Sequence, residues 1–213
     1  MAATRPGLLR LTLALAAALF ASRAPAAAEL GAADHFELCA TCHGAAGEGK
    51  PNLQAPAIAG LPAWYVEKQL AKFQAGVRGA HPDDHAGLRM RPMSRYLRSE
   101  EVVKQVADYV AALPAAKRGS SLSGGDAARG QASYALCASC HGAQGEGVQA
   151  LNGPPLAHQS DWYLLSQMQK FQQGLRGANL KDAEGILMRP MSMTIPDEQG
   201  LKDVIAYIQT LPE

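Results

Sequence analysis

Cysteine is scarce, aromatic side chains are few, and no apolar run beyond the first 28 residues approaches membrane-spanning length. Four cysteines in 213 residues are too few for the disulfide framework of a small secreted scaffold. The alternation of apolar and polar residues that marks a half-buried strand is also missing. So is any basic excess: 20 Lys and Arg stand against 19 Asp and Glu. The basic stripe that nucleic-acid binding requires is therefore excluded. What is present is helical periodicity in a chain long enough for one large domain or two small ones.

Residues 1–28 read as a secretory leader. Arg5 and Arg10 supply its positive start, Leu11 to Ala21 is uncharged and apolar, and Ala24-Pro25-Ala26 offers small residues for cleavage. The apolar run falls short of the roughly 20 residues a spanning helix needs. Cleavage is expected, with an uncleaved leader acting as a loose membrane tether as the alternative. Export to a bacterial periplasm follows. Losing Arg5, Arg10 and Arg23 with the leader leaves 17 basic against 19 acidic side chains. The first half, 27–118, carries a formal +1 and the second, 119–213, −3, a weak asymmetry of the kind that orients a molecule on a partner.

All four cysteines fall in two copies of one motif. Cys39-Ala40-Thr41-Cys42-His43 recurs as Cys137-Ala138-Ser139-Cys140-His141, 98 positions later. C-x-x-C-H is the attachment signature of a c-type haem. Two thiols form thioethers with the vinyl groups, and the adjacent histidine is placed to bind iron. A redox C-x-x-C has no need of that histidine, and a zinc site wants differently spaced ligands. Two covalently bound haem c groups are expected.

The offset of 98 holds far beyond the motif. Trp64-Tyr65 matches Trp162-Tyr163, Lys72-Phe73-Gln74 matches Lys170-Phe171-Gln172, and Arg78-Gly79-Ala80 matches Arg176-Gly177-Ala178. Met90-Arg91-Pro92-Met93-Ser94 repeats as Met188-Arg189-Pro190-Met191-Ser192, and Leu113-Pro114 as Leu211-Pro212. This is tandem duplication without a gap. Two domains are expected, 29–116 and 126–213, joined by a small polar linker at 117–125. At about 90 residues an apolar core alone is marginal, so the haem must supply much of it. Chain stripped of haem should be unfolded or molten, and a native-like circular dichroism spectrum from it would contradict this.

The class is all-α. A first helix is predicted over Ala32 to Cys39 and Ala128 to Cys137, and a second over Pro62 to Ala75. The last is clearest, with Val102, Val103, Val106, Tyr109, Val110 and Leu113 in one stripe and Ser99 as N-cap. In the second copy Pro196 stands in place of Ser99, and the reading there is that the proline starts the helix. Gly44, Gly47 and Gly49 mark a turning loop after the histidine, in which Glu48 and its copy Glu146 are read as turn hydrogen-bonders.

His43 and His141 fill one axial position each. A methionine sulfur is the natural sixth ligand of a carrier, because a neutral thioether raises the potential. Met168 falls on a helical apolar face and is read as core; Met193 corresponds to Arg95 and cannot serve both copies. Two pairs remain, Met90 with Met188 and Met93 with Met191, in what is predicted to be a loop before the last helix. His35 is expected to be exposed, and His81 and His85 to lie in a solvated loop. Arg91 and Arg189 are candidates to pair with haem propionates or with an acidic partner.

The paired motifs, the tyrosine-bearing second helix with its glutamine, and a methionine seven residues before Leu97 or Ile195 resemble the dihaem cytochromes c4. The resemblance covers nearly all of the chain after the leader. It implies two class I cytochrome c domains about a pseudo-twofold axis, haems close to the interface, and His/Met ligation of both irons. It selects Met90 and Met188 as sulfur ligands, with Met93 and Met191 lining the pocket. It aligns Pro56 and Pro154 with a proline whose carbonyl holds the ligand histidine, the alternative being that these prolines only shape a loop. His158 departs from the family where Gly60 conforms. The function so implied is electron carriage between a membrane quinol-oxidising complex and a terminal oxidase or reductase. The alternative is the cytochrome subunit of a dehydrogenase, such as a flavocytochrome that oxidises sulfide. A dihaem peroxidase would require an open iron face, against which the matched methionines stand.

Overall fold

A computed structural model of the protein describes residues 30–115 and 120–212. The expected leader, and residues 117–119 of the expected linker, lie outside the described residues. Each half contributes four helices. In the first they are α1 (Ala32–His43), α2 (Ala63–Gln74), α3 (His85–Tyr96) and α4 (Glu100–Ala112). The second repeats them as α5 (Ala127–His141), α6 (Asp161–Gln172), α7 (Ala183–Met193) and α8 (Glu198–Ile208). Among the described residues there is no strand, only the isolated bridges Lys50–Ala55 and Val148–Gly153. The all-α class holds.

The core of each half forms where its first helix crosses its last. Phe36 of α1 meets Tyr109 of α4 with ring centroids 5.1 Å apart, and Tyr134 of α5 meets Tyr207 of α8 at 5.3 Å. The stripe read from the sequence is the buried face of α4, with Val106 and Val110 almost completely enclosed, and Leu201 and Ile205 do the same on α8. Each such side chain contributes about 1.5–3 kcal/mol of burial. Gly130 permits the second crossing: a Cβ there would lie 1.9 Å from the Asp203 carbonyl oxygen.

Capping sets the ends of the last helices. Ser99 accepts from the Val102 amide at 3.2 Å, as expected. In the second copy the position 98 after Ser99 is Asp197, not Pro196, and Asp197 is the N-cap, accepting from Gly200 N at 2.7 Å. The cap is thus repeated in register, with a carboxylate as the acceptor that proline lacks. The described part of the expected linker is docked, not free. Asp161, at the start of α6, accepts from Ser121 N at 2.6 Å and Leu122 N at 2.7 Å, and Leu122 packs on the second core. Burial works to raise the Asp161 carboxyl, and these donors outweigh it and hold it low.

The predicted loop around each Met-Arg-Pro-Met is in fact helix, α3 and α7, with Pro92 and Pro190 inside. A proline there removes one backbone donor and clashes with the carbonyl four residues back. Contacts distant in sequence offset that cost. Asp84 and Asp182 cap the helices through Gly87 N and Gly185 N. Gln74 Nε2 then donates to the carbonyls of Ser94 and Leu97 at 2.9 and 2.8 Å, and Gln172 to those of Ser192 and Ile195 at 3.0 and 2.8 Å.

The halves meet through reciprocal pairs, which is the signature of a twofold relation. Lys72 binds Asp182, and its copy Lys170 binds Asp84 at 2.6 Å. Arg78 donates to Gln69, Gln167 and Tyr163, while Arg176 donates to Gln167 and Gln69. The symmetry is broken by Glu184, which takes Lys68 at 2.8 Å and Lys72 at 2.6 Å where the first copy has Ala86. Burial works to raise the Glu184 carboxyl, and the bonds from Lys68 and Lys72 overcome it and bring it down to about 2. A depressed carboxylate gives stability that is complete above its unfolded value of about 4.3 and drains away as pH falls through the folded one. Thermal midpoints should therefore hold level down to about pH 5 and decline between about pH 4.5 and 2. The decline should be smaller in Glu184→Ala, the residue of the first copy. Identical acid profiles for the two proteins would contradict the assignment.

Candidate cofactor sites

Helices α1 and α5 run through the whole C-x-x-C-H motif and stop at its histidine, several residues later than the pattern suggested. The stop is made by Gly44 and Gly142, at φ 86° and 85°, a conformation glycine adopts without penalty. One helical turn thus carries both thiols and the imidazole on a rigid support. Cys39 and Cys137 are half-buried, and Cys42 and Cys140 are exposed. Burial pushes the free Cys39 and Cys137 thiols up.

The loop after each histidine closes back on it. Glu48 Oε2 accepts from Ala46 N at 2.9 Å and Glu146 Oε2 from Gln144 N at 2.8 Å, the turn role expected of them. The closure brings Pro56 O to 2.8 Å from His43 Nδ1, and Pro154 O to 2.7 Å from His141 Nδ1. A carbonyl oxygen only accepts, so Nδ1 carries the proton and Nε2 keeps the lone pair that a metal takes. Burial lowers the pKa of both imidazoles, against the opposing pull of the proline carbonyls, and keeps them neutral. Both prolines thus do more than shape a loop.

Met90 lies on α3 and packs against the first core, the same apolar cluster against which Cys39 packs. Met93, one turn on, is 39 % exposed. In the second half Met188 and Met191 are both half-buried, so exposure does not separate them. Met168 packs on the second core, as its helical position suggested, and Met193 is exposed.

The remaining singled-out residues divide. His85 opens α3 and is exposed, and His81 sits in the preceding loop near Asp83. His35 is not exposed as expected. It is half-buried at 6.2 Å from the Tyr96 ring, because α1 presents it toward the end of α3. His158 takes no positive φ, unlike Gly60 at 75°, so the two copies turn differently into α2 and α6. Neighbouring Gln159 reaches across to the Ala57 carbonyl at 3.0 Å. Gln74 and Gln172, the clamps on α3 and α7, had no assigned role in the sequence reading. Their exact repetition after Lys-Phe was the available signal.

These donors fit a haem. Each half offers two thiols on one turn and a neutral imidazole with a committed tautomer; the first adds Met90 packed on its core, and the second a half-buried Met188. Beside each sulfur lies an arginine, Arg91 or Arg189, whose buried Nε has no hydrogen-bond partner among the described residues. Such an orphaned cation suits a propionate, which supplies charge-assisted acceptors.

Known proteins agree. A family model described as cytochrome c matches residues 28–114 and again 127–212. A thiosulfate dehydrogenase electron acceptor from Stutzerimonas stutzeri is 37 % identical over 165 residues, covering 72 % of each chain. Cytochrome c4 of Acidithiobacillus ferrooxidans superposes with TM-score 0.68 at 26 % identity, over 83 % of this chain and 99 % of that one. A thiosulfate dehydrogenase structure from Marichromatium purpuratum superposes with TM-score 0.65 at 32 % identity, over 82 % of this chain and 36 % of the longer one.

Proposed function

This chain belongs to the cytochrome c family as a dihaem protein of the cytochrome c4 type, and from that premise we propose that it carries electrons from a thiosulfate-oxidising dehydrogenase toward a terminal oxidase. It holds two covalently bound haem c groups, and its work is electron transfer, not catalysis on a substrate. When bound, each haem supplies a one-electron ferrous/ferric couple.

What the chain's residues do is hold and tune. Cys39 and Cys42, with Cys137 and Cys140, tether the two groups. His43 and His141 would each give Nε2 to iron, and the carbonyls of Pro56 and Pro154 fix their rings and raise their basicity. Met90 and Met188 would supply the sulfur that completes each site. Met90 packs on the same core cluster as Cys39, which supports this in the first half, and the strict repeat extends it to the second. Met93 and Met191 line the crevice.

The observation that carries the reading is that one donor set is rebuilt in both halves. With Met90 and Met188 as ligands, neither half would keep an iron face for substrate, as a peroxidase would require. On the donor side the dehydrogenase is placed ahead of a quinol-oxidising complex, on the strength of the Stutzerimonas relative. The periplasm is the compartment. Among the described residues no helix is long and apolar enough to cross a membrane.

The test is spectroscopic. Both ferric haems should show the near-infrared methionine-to-iron charge-transfer band and resist cyanide. A high-spin haem, or one that turns over peroxide, would overturn the carrier assignment.

A further inference from the structure

The two copies differ most where α7 faces outward. Of the nine large apolar side chains exposed among the described residues, six lie in the second half: Leu136, Leu151, Leu180, Ile186, Leu187 and Met193. Leu180 is 91 % exposed and Leu187 69 %, values with no stabilising purpose in an isolated domain. Leu180, Ile186 and Met193 line one shallow groove together with Arg189 and Pro190.

The first copy provides the comparison. At the positions of Leu180, Leu187 and Met193 it carries Pro82, Arg89 and Arg95. Those arginines fold back onto their own domain. Arg89 donates to the Leu53 carbonyl at 2.8 Å, and Arg95 Nε to the Gln74 carbonyl at 3.3 Å. The first domain thus lays two arginines along α3, where Met93 and Tyr96 are the large apolar side chains left exposed, and the second puts leucine and methionine in place of those arginines. Helix α7 also carries both candidate sulfur ligands of the second haem. A partner seated on it is separated from that sulfur by about one helix diameter, ~10 Å.

Charge at the margin identifies the partner's chemistry. Asp182 and Glu184 are committed to Lys72 and Lys68 across the interface, which leaves exposed Lys181, next to Leu180, as the cation at the margin of the groove. An apolar surface bordered by carboxylates complements it. A patch of a few side chains suits the small interfaces of redox encounters, which must release quickly.

We propose that the outer face of α7, centred on Leu180, Leu187 and Met193, is where the electron-donating dehydrogenase docks, so that electrons enter through the second domain. This rests on the proposed function, because it takes the dehydrogenase as the occupant.

The test transplants the first copy's residues. Leu187→Arg with Met193→Arg should fold normally, since the first domain carries arginine at both positions. Its thermal midpoint and its rate of reduction by dithionite should match the parent. Its second-order rate of reduction by Stutzerimonas stutzeri thiosulfate dehydrogenase with thiosulfate should fall at least tenfold. The reciprocal change in the first domain, Arg89→Leu with Arg95→Met, should alter that rate less than twofold. If parent and Leu187→Arg/Met193→Arg are reduced equally fast, the docking face is wrong and the donor assignment stands. If the parent is not reduced by the dehydrogenase at all, the donor assignment fails and the docking face with it. A patch that serves a second copy of this chain would appear as a dimer lost in the variant with the reduction rate unchanged, which also overturns the proposal.

Discussion

Met188→His lowers the reduction potential of one haem by on the order of 0.2 V and leaves the other nearly fixed, and Met90→His does the converse. The magnitude is a fraction of the ~0.8 V that axial ligands command. Its sign follows from replacing a neutral thioether, which favours ferrous iron, with the more basic imidazole. Redox titration followed in the visible bands resolves the two couples. The same experiment on Met93→His and Met191→His decides between the pairs, because only a ligand position shifts a potential this far. Met93 is 39 % exposed and should be nearly silent. If Met191→His moved a potential and Met188→His did not, the strict repeat would not extend to ligation.

The second large effect is mechanical. Lys72 is 14 % exposed and its partner Asp182 only 3 %, so the pair is effectively interior. Lys72→Met keeps the stem and removes the charge, leaving Asp182 with the Gly185 amide at 3.2 Å but no cation. Taking one partner from a buried pair costs about 3–5 kcal/mol. That loss falls on the contact between halves, not on either core. The variant should therefore melt in two separate steps where the parent melts in one, with the lower step several degrees below the parent midpoint. Restoring the apolar balance with Lys72→Met and Asp182→Asn together should recover part of the loss, since it removes the stranded charge. A single unshifted transition in Lys72→Met would show that the domains are held by other contacts.

Sequence reasoning succeeded where the determining physics is local. The haem-attachment motif acts over five residues, the α4 stripe over about three turns, and the Ser99 cap over three positions. The duplication was legible because residues 98 apart keep the same neighbours in each copy. It failed at α3 and α7, where local signals are poor: a proline sits mid-helix, and Met-Arg-Pro-Met shows no apolar stripe. Those helices depend on Gln74 and Gln172 donating from helices about 20 residues earlier. The start of α8 was misplaced by one residue, because the offset of 98 pairs Ser99 with Asp197 and Arg98 with Pro196, and the carboxylate is the cap.

The interface was beyond reach for the same reason in stronger form. Lys68 and Glu184 are 116 residues apart, and nothing in either neighbourhood announces the other. The sequence did hold one unread clue. The copies differ in charge at matched positions of α3 and α7, as at Ala86 against Glu184 and Arg89 against Leu187. Glu184 joins the halves, and Leu187 is left exposed.

Intact mass spectrometry of the purified protein, with a pyridine haemochrome count on the same sample, addresses the whole account at once. The expected result is a single species carrying two haem groups that survive denaturation, reduced to one by Cys39→Ala with Cys42→Ala or by Cys137→Ala with Cys140→Ala. A protein with one haem, or with haem that denaturation releases, would contradict it.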